Sequence, residues 1–204
     1  MKNRALLVLT ACVAAGALQG CAPLLFGGAV VGTAMVATDR RTTGTQVEDE
    51  AIELKAMARA SEVAPSGHVN VTSYNRMVLI TGEVASETDR RAVEQVIGRI
   101  ENVRSVVNEV AVMGNTSLTA RSNDTVLSGK VKASFVDAQD LQANALKVVT
   151  ERGTVYLMGR VTEREAGRAA DVARAVSGVQ KVIRVFEIIS EAELANLQPR
   201  PATK

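Results

Sequence analysis

Val78-Leu-Ile-Thr-Gly82-Glu-Val84 returns 77 positions later as Val155-Tyr-Leu-Met-Gly159-Arg-Val161, and this pair of stretches decides the fold. Val69 and Val71 fall on Leu146 and Val148 at the same offset. Beyond the glycine one residue is lost: Val96, Ile100, Val103, Val106 and Val110 match Val172, Val176, Val179, Val182 and Phe186 at an offset of 76. A shared string of apolar positions around a shared glycine marks an internal duplication, so the chain holds two copies of one small unit.

Each copy reads in the same order. A helix comes first, over Val47–Ala60 and again over Thr125–Val136. Two runs of strand composition separated by turn residues follow, Val69–Thr72 with Val78–Thr81, and Ala145–Val149 with Val155–Met158. Apolar residues at helical spacing then predict a second helix at Glu87–Arg99 and at Glu163–Ala175. Ser105–Val112 and Lys181–Ile189 close the copies as last strands. The expected class is α/β (α+β): two tandem α-β-β-α-β units, each a small mixed three-stranded sheet covered by two helices. A unit of roughly 65 residues has a marginal core alone, so packing between the copies is expected.

Working outward, the N-terminus carries Lys2 and Arg4 and then an uncharged apolar stretch from Ala5 to Leu18, the n- and h-regions of a secretory signal. Leu18-Gln19-Gly20-Cys21 resembles the bacterial lipobox, which makes Cys21 the expected lipidation site, with diacylglycerol on its sulfur and palmitate-type acyl chains. Several chains hold a protein on a membrane far better than one, at about 0.8 kcal/mol per buried methylene. Ala22 stands where an inner-membrane retention signal would place Asp, so the outer membrane, facing the periplasm, is the expected address. The expected organisation is a signal peptide over 1–20, a lipidated Cys with a Gly/Ala-rich tether over 21–46, and units at 47–113 and 122–190. A linker over 114–121 separates the units, and a flexible tail fills 191–204. Asp39-Arg40-Arg41 and Thr42-Thr43-Gly44-Thr45 read as polar linker.

The 204 residues include 24 Lys+Arg, 22 Asp+Glu, one His, two Cys and no Trp. One His and two Cys cannot assemble a closed Cys/His zinc site, and no phosphate loop or nucleophile motif is present. No catalytic residue, metal ligand or cofactor is expected, and enzymatic activity is not expected. The net charge of +2 belongs to the signal: without residues 1–20, basic and acidic side chains balance at 22 each. They are unevenly divided. Residues 47–113 hold seven basic and eleven acidic groups, whereas 121–190 hold eleven and eight. Only the second unit suits an anionic surface, where each basic group is worth about 1 kcal/mol. Its cations are too sparse for a nucleic-acid patch, so no nucleic-acid partner is expected.

In the second unit's first helix, Asp124 is the expected cap, and Leu127, Val131 and Phe135 recur at core spacing. Lys130 and Lys132 lie on the flanks, with Val126 and Val136 placed to reach an acyl boundary. Elsewhere His68 reads as a loop residue without a carboxylate partner. Glu48-Asp49-Glu50 reads as first-turn acids favouring the helix dipole, and Glu163-Arg164-Glu165 as a solvated helix entrance.

The duplicated pattern, with its marker glycines Gly82 and Gly159 and the segment Gly178-Val179-Gln180-Lys181-Val182, resembles the BON domain; Glu101-Asn102-Val103 departs from it in the first copy. Lipobox, tether and two such units together resemble the dual-BON outer-membrane lipoproteins. That resemblance implies anionic phospholipid, such as phosphatidylglycerol or cardiolipin, as partner of the second unit. It also implies a role in outer-membrane integrity, with division-site enrichment in some members. The phospholipid contacts so implied are Val126, Lys130, Lys132, Phe135 and Val136. The competing expectation is a periplasmic scaffold for envelope proteins, such as an outer-membrane assembly factor or a cell-wall hydrolase regulator, using the acidic first unit.

Overall fold

The computed structural model describes residues 39–197. The signal, Cys21, the tether to residue 38 and the tail beyond 197 lie outside the described residues.

The first unit comprises α1 (Thr43–Val63), β1 (His68–Tyr74), β2 (Met77–Val84), α2 (Glu87–Gly98), β3 (Ser105–Asn108) and β4 (Ala111–Val112). The second comprises α3 (Leu118–Asp137), β5 (Leu146–Glu151), β6 (Thr154–Val161), α4 (Glu163–Arg174) and β7 (Lys181–Ile188), with a 3-10 turn at Ala143–Ala145 before β5 and a short α5 (Glu191–Leu197) after β7. In each sheet the middle strand pairs antiparallel with its hairpin partner and parallel with the last strand. The mixed three-stranded sheet expected from the sequence is therefore present twice. The last strand of the first unit is broken into β3 and β4, both pairing β2 in one register (Ile80↔Asn108, Glu83↔Ala111). The break lies at Val110, whose N–H turns to the Asn108 side chain instead of the ladder.

Hydroxyl residues begin the helices. The side chains of Thr42, Ser86, Ser117 and Thr162 accept N–H bonds from the first turns of α1, α2, α3 and α4, satisfying donors that lack helical partners. Two expectations change here. Thr42–Thr45 is not linker but the start of α1, and α3 begins inside the expected linker, at Leu118. Asp124 is consequently not a cap. It sits buried one and a half turns into α3, and its carboxylate accepts the Arg152 and Gly153 N–H groups at 2.8 Å. Asp49 does the same in α1, accepting from the N–H groups of Asn75 and Arg76 at 2.8 and 2.7 Å and from Ser73 Oγ at 2.6 Å. Both hairpin turns carry positive φ at their two central residues, and a buried aspartate pins each one. Helix and hairpin are thereby tied together by charge-assisted bonds rather than by apolar contact alone.

Residues alternate along each middle strand. Val78, Ile80 and Val84 face α1 and α2, while Val155, Leu157 and Val161 face α3 and α4. The opposite faces meet each other: Tyr74 and Leu79 from the first unit and Tyr156, Met158 and Val185 from the second form one buried cluster. The units thus stack sheet against sheet, with helices outside, a four-layer arrangement in which each marginal core is completed by its neighbour. Burial of Tyr74 and Tyr156 in this seam pushes both phenols up to about 12; the Asp39 carboxylate adds to this for Tyr74 and the Glu109 carboxylate for Tyr156.

Gly82 and Gly159 permit the close packing at the strand crossings. A Cβ would collide with the His68 carbonyl oxygen at the first and the Ala145 carbonyl oxygen at the second. This is the physical reason for the glycine in both copies.

The expected linker and tail are also structured near the seam. Arg40 is buried and grips the Glu165 carboxylate with two bonds of 2.7 and 2.8 Å while donating to the Arg160 carbonyl. Arg41 binds Asp39 and Asp49 and lies 4.2 Å over the Tyr74 ring. The chain leaving the tether is therefore clamped to both units at once. Glu165 is correspondingly not a solvated residue: it is buried, and with Thr162 it closes a capping box. At the other end α5 buries Leu194 and pairs Glu193 with Arg160 at 2.6 Å, so residues 191–197 form a docked helix.

Candidate functional site

The outer face of α3 is the surface on which the expected lipid contacts converge. Leu127, Val131 and Phe135 lock the inner face into the core of the second unit. At 100° per residue the opposite side then carries Leu118, Ser122, Val126, Gly129, Ala133 and Val136 in one stripe about 27 Å long. Leu118, Val126 and Val136 are 78, 59 and 71% exposed. Ser122, Gly129 and Ala133 between them keep the stripe low, and nothing approaches a Cβ position at Gly129. Lys130 and Lys132 project on either side of the stripe, and neither forms an ion pair with a described residue. The apolar line thus lies between two uncompensated cations, and the helix's one acid before its last residue, Asp124, is turned inward.

Four of the five named contact residues therefore share a surface, and the fifth does not. Phe135 is 1% exposed within the core of the second unit, so it supports α3 from beneath and leaves the contact set. Its position, four residues after Val131 and eight after Leu127, already placed it on the core face. Leu118, in contrast, escaped notice because the helix was expected to start seven residues later.

Beside α3 runs an open groove of about 580 Å³, walled by Val126 and Lys130 on the helix and by Ser177, Gly178 and Gln180 before β7. Hydroxyl, amide and ammonium donors line it with one apolar wall, the combination that suits a polar headgroup at the edge of an acyl layer. The charge division of the sequence also has a structural form. Three of the second unit's acids, Asp124, Glu151 and Glu165, are buried, so its cations dominate the outside.

His68 is not a loop residue: it opens β1, with Nδ1 3.5 Å from the buried carboxylate of Glu83. Glu83 also takes Arg152 at 2.6 Å and the Thr116 N–H. Burial opposes its ionisation, but the Arg152 guanidinium and Thr116 outweigh it and hold the carboxyl below the usual range. Further bonds cross between the units nearby, Lys147 to Glu53 at 2.8 Å and Asn70 to Glu151 at 3.0 Å. Among the described residues no helix is long and apolar enough to cross a membrane.

Comparison with known proteins places these features in context. The BON domain matches residues 48–114 and 123–190. Outer membrane lipoprotein DolP of Haemophilus influenzae is 40% identical over 176 residues, 84% of this chain and 90% of that protein. A 21 kDa hemolysin of Actinobacillus pleuropneumoniae is 29% identical over 154 residues, 74% and 79% of the two chains. Osmotically-inducible protein Y of Escherichia coli is 27% identical over 144 residues, 68% and 72% of the two chains.

Proposed function

Since the chain belongs to the BON-domain family, as a two-BON protein similar to DolP, we propose that it is a lipoprotein of the outer membrane whose second unit binds anionic phospholipid and helps maintain the envelope. The observation that carries the reading is the outer face of α3: an exposed apolar stripe between two lysines that form no ion pair among the described residues, on the more basic unit. Val126, Val136 and Leu118 enter the boundary between headgroups and acyl chains, while Lys130 and Lys132 meet phosphate at the surface, their stems lying along the apolar line. Cys21 supplies the permanent anchor, and the clamp at Arg40 and Arg41 fixes where the folded body meets its tether. The strong anchor supports the weaker contact at α3, because the anchored protein meets lipid at high effective concentration. No catalytic step is part of this function.

Co-sedimentation with vesicles tests it. The chain from residue 22 onward is expected to pellet with phosphatidylglycerol or cardiolipin vesicles and to remain in solution with neutral phosphatidylcholine. Equal binding to both, or none, refutes the electrostatic reading. The scaffold reading has one observation of its own: Val47, Leu54 and Met57 lie exposed on α1 of the acidic unit. Photo-crosslinking from position 54 in cells distinguishes it, since a protein adduct there, with no lipid binding in vitro, favours a scaffold.

A further inference from the structure

One cluster of ligand-type side chains takes no part in the lipid surface. His68 opens β1 and Glu83 lies in β2, while Glu151 ends β5, so two members come from the first unit and one from the second. One ligand atom from each lies within 4.8 Å of the others. Glu83 and Glu151 are 0 and 3% exposed. Arg152 binds Glu83 Oε1 and Thr116 donates long bonds of 3.3 Å to Oε2, but the only hydrogen bond to Glu151 among the described residues comes from the neutral Asn70 amide. His68 Nδ1 is shut off from solvent and makes no hydrogen bond, standing 3.5 Å from Glu83 Oε2. A buried carboxylate with one neutral donor and an orphaned imidazole nitrogen each carry a desolvation cost. Facing one another, they form a donor set for a cation.

The geometry points to a divalent-cation site, best suited to zinc, held by His68 Nδ1, Glu83 Oε2 and a Glu151 carboxylate oxygen across the seam between the two units. Zinc bonds of about 2.0–2.2 Å place tetrahedral ligands about 3.4 Å apart, so the 3.5 Å His68–Glu83 spacing already fits, and the Glu151 oxygen, within 4.8 Å of both, must close in by about 1.4 Å at most. One imidazole with two carboxylates is a mixed set that zinc accepts. The fourth position opens onto a cavity of about 250 Å³ lined by Arg121, Thr125 and Thr150 along with His68 and Glu151, room for a water ligand. A cation here joins the first unit to the second beneath α3. Spacing in the sequence cannot reveal it, because the ligands come from three strands and depend on how the two sheets stack.

The full chain, purified in detergent and stripped with chelator, is titrated with zinc chloride by calorimetry, and the imidazole nitrogens are followed by NMR. His68 is the chain's single histidine, so its signal is unambiguous. One equivalent is expected to bind and to move the Nδ1 resonance, with a rise in melting temperature. His68→Ala and Glu151→Gln are each expected to weaken binding by about tenfold or more. Absence of saturable binding at one equivalent overturns the proposal, as does an unmoved Nδ1 resonance or an unchanged affinity in Glu151→Gln. Should a variant fail to fold, the wild-type imidazole spectrum decides alone.

Discussion

Replacing Arg40 by methionine removes the buried guanidinium that ties the segment leaving the tether to Glu165 of the second unit, and leaves in place the Arg160 guanidinium's bond to the Arg40 carbonyl at 3.2 Å. Arg40 makes two bonds to Glu165 and one to the Arg160 carbonyl, all within 2.8 Å, and both partners of the ion pair are buried. Breaking a buried pair by deleting one member costs about 3–5 kcal/mol, because the remaining charge stays desolvated. Glu165 keeps the Thr162 N–H at 3.0 Å, so the low end, about 3 kcal/mol, is the expected loss at pH 7. For a chain of this size that is a fall in melting temperature of roughly 6–12 °C. The pH dependence sharpens the test. Burial opposes ionisation of Glu165, but Arg40 and the Thr162 N–H outweigh it and lower its pKa. Stability from a lowered carboxyl is fully present above the unfolded value of about 4.3 and fades as pH falls through the folded one. The gap between wild type and Arg40→Met is therefore expected to narrow below about pH 4. Urea unfolding followed by circular dichroism at pH 7 and pH 3.5 measures both. A loss under about 1 kcal/mol at pH 7, or a gap that widens in acid, refutes the argument.

The seam gives a second prediction: the chain's two tyrosines, both buried there, titrate near pH 12 by ultraviolet absorbance, and a midpoint near 10 in the native protein contradicts the stacked sheets. Gly159→Ala drives a Cβ into the Ala145 carbonyl and is expected to cost at least about 3 kcal/mol, read as loss of a cooperative melt. Asp124→Ala leaves two hairpin N–H groups without their acceptor and is expected to cost about 2–3 kcal/mol in urea unfolding, with hydrogen exchange rising first at Arg152 and Gly153.

The duplication was legible because apolar periodicity survives in both copies, and it carried the order of elements, the sheet type and the marker glycines. The seam left a trace as well. Met77-Val-Leu-Ile80 and Val155-Tyr-Leu-Met158 are apolar on both faces, which means cover on both sides. What stayed hidden is mostly ionic. Asp49 and Asp124 stand at matching places in the two copies, 75 apart, yet each looked like an ordinary helix-end acid because its acceptor role depends on a hairpin more than 20 residues away. Arg40 and Glu165 are 125 residues apart and meet only through the stacking of the units. Val126, Lys130, Lys132 and Val136 lie exposed on the outer side of their helix, as helical spacing alone already required. Phe135 was the residue that the same spacing should have removed.

Residue-by-residue NMR mapping with anionic micelles tests the central proposal most directly, comparing wild type with Lys130→Glu combined with Lys132→Glu. Shifts are expected along Leu118, Ser122, Val126, Gly129, Ala133 and Val136, and the double reversal is expected to weaken binding roughly thirtyfold, from about 2 kcal/mol of lost attraction alone. Shifts gathered on α1, or affinity unchanged by the reversal, would contradict it.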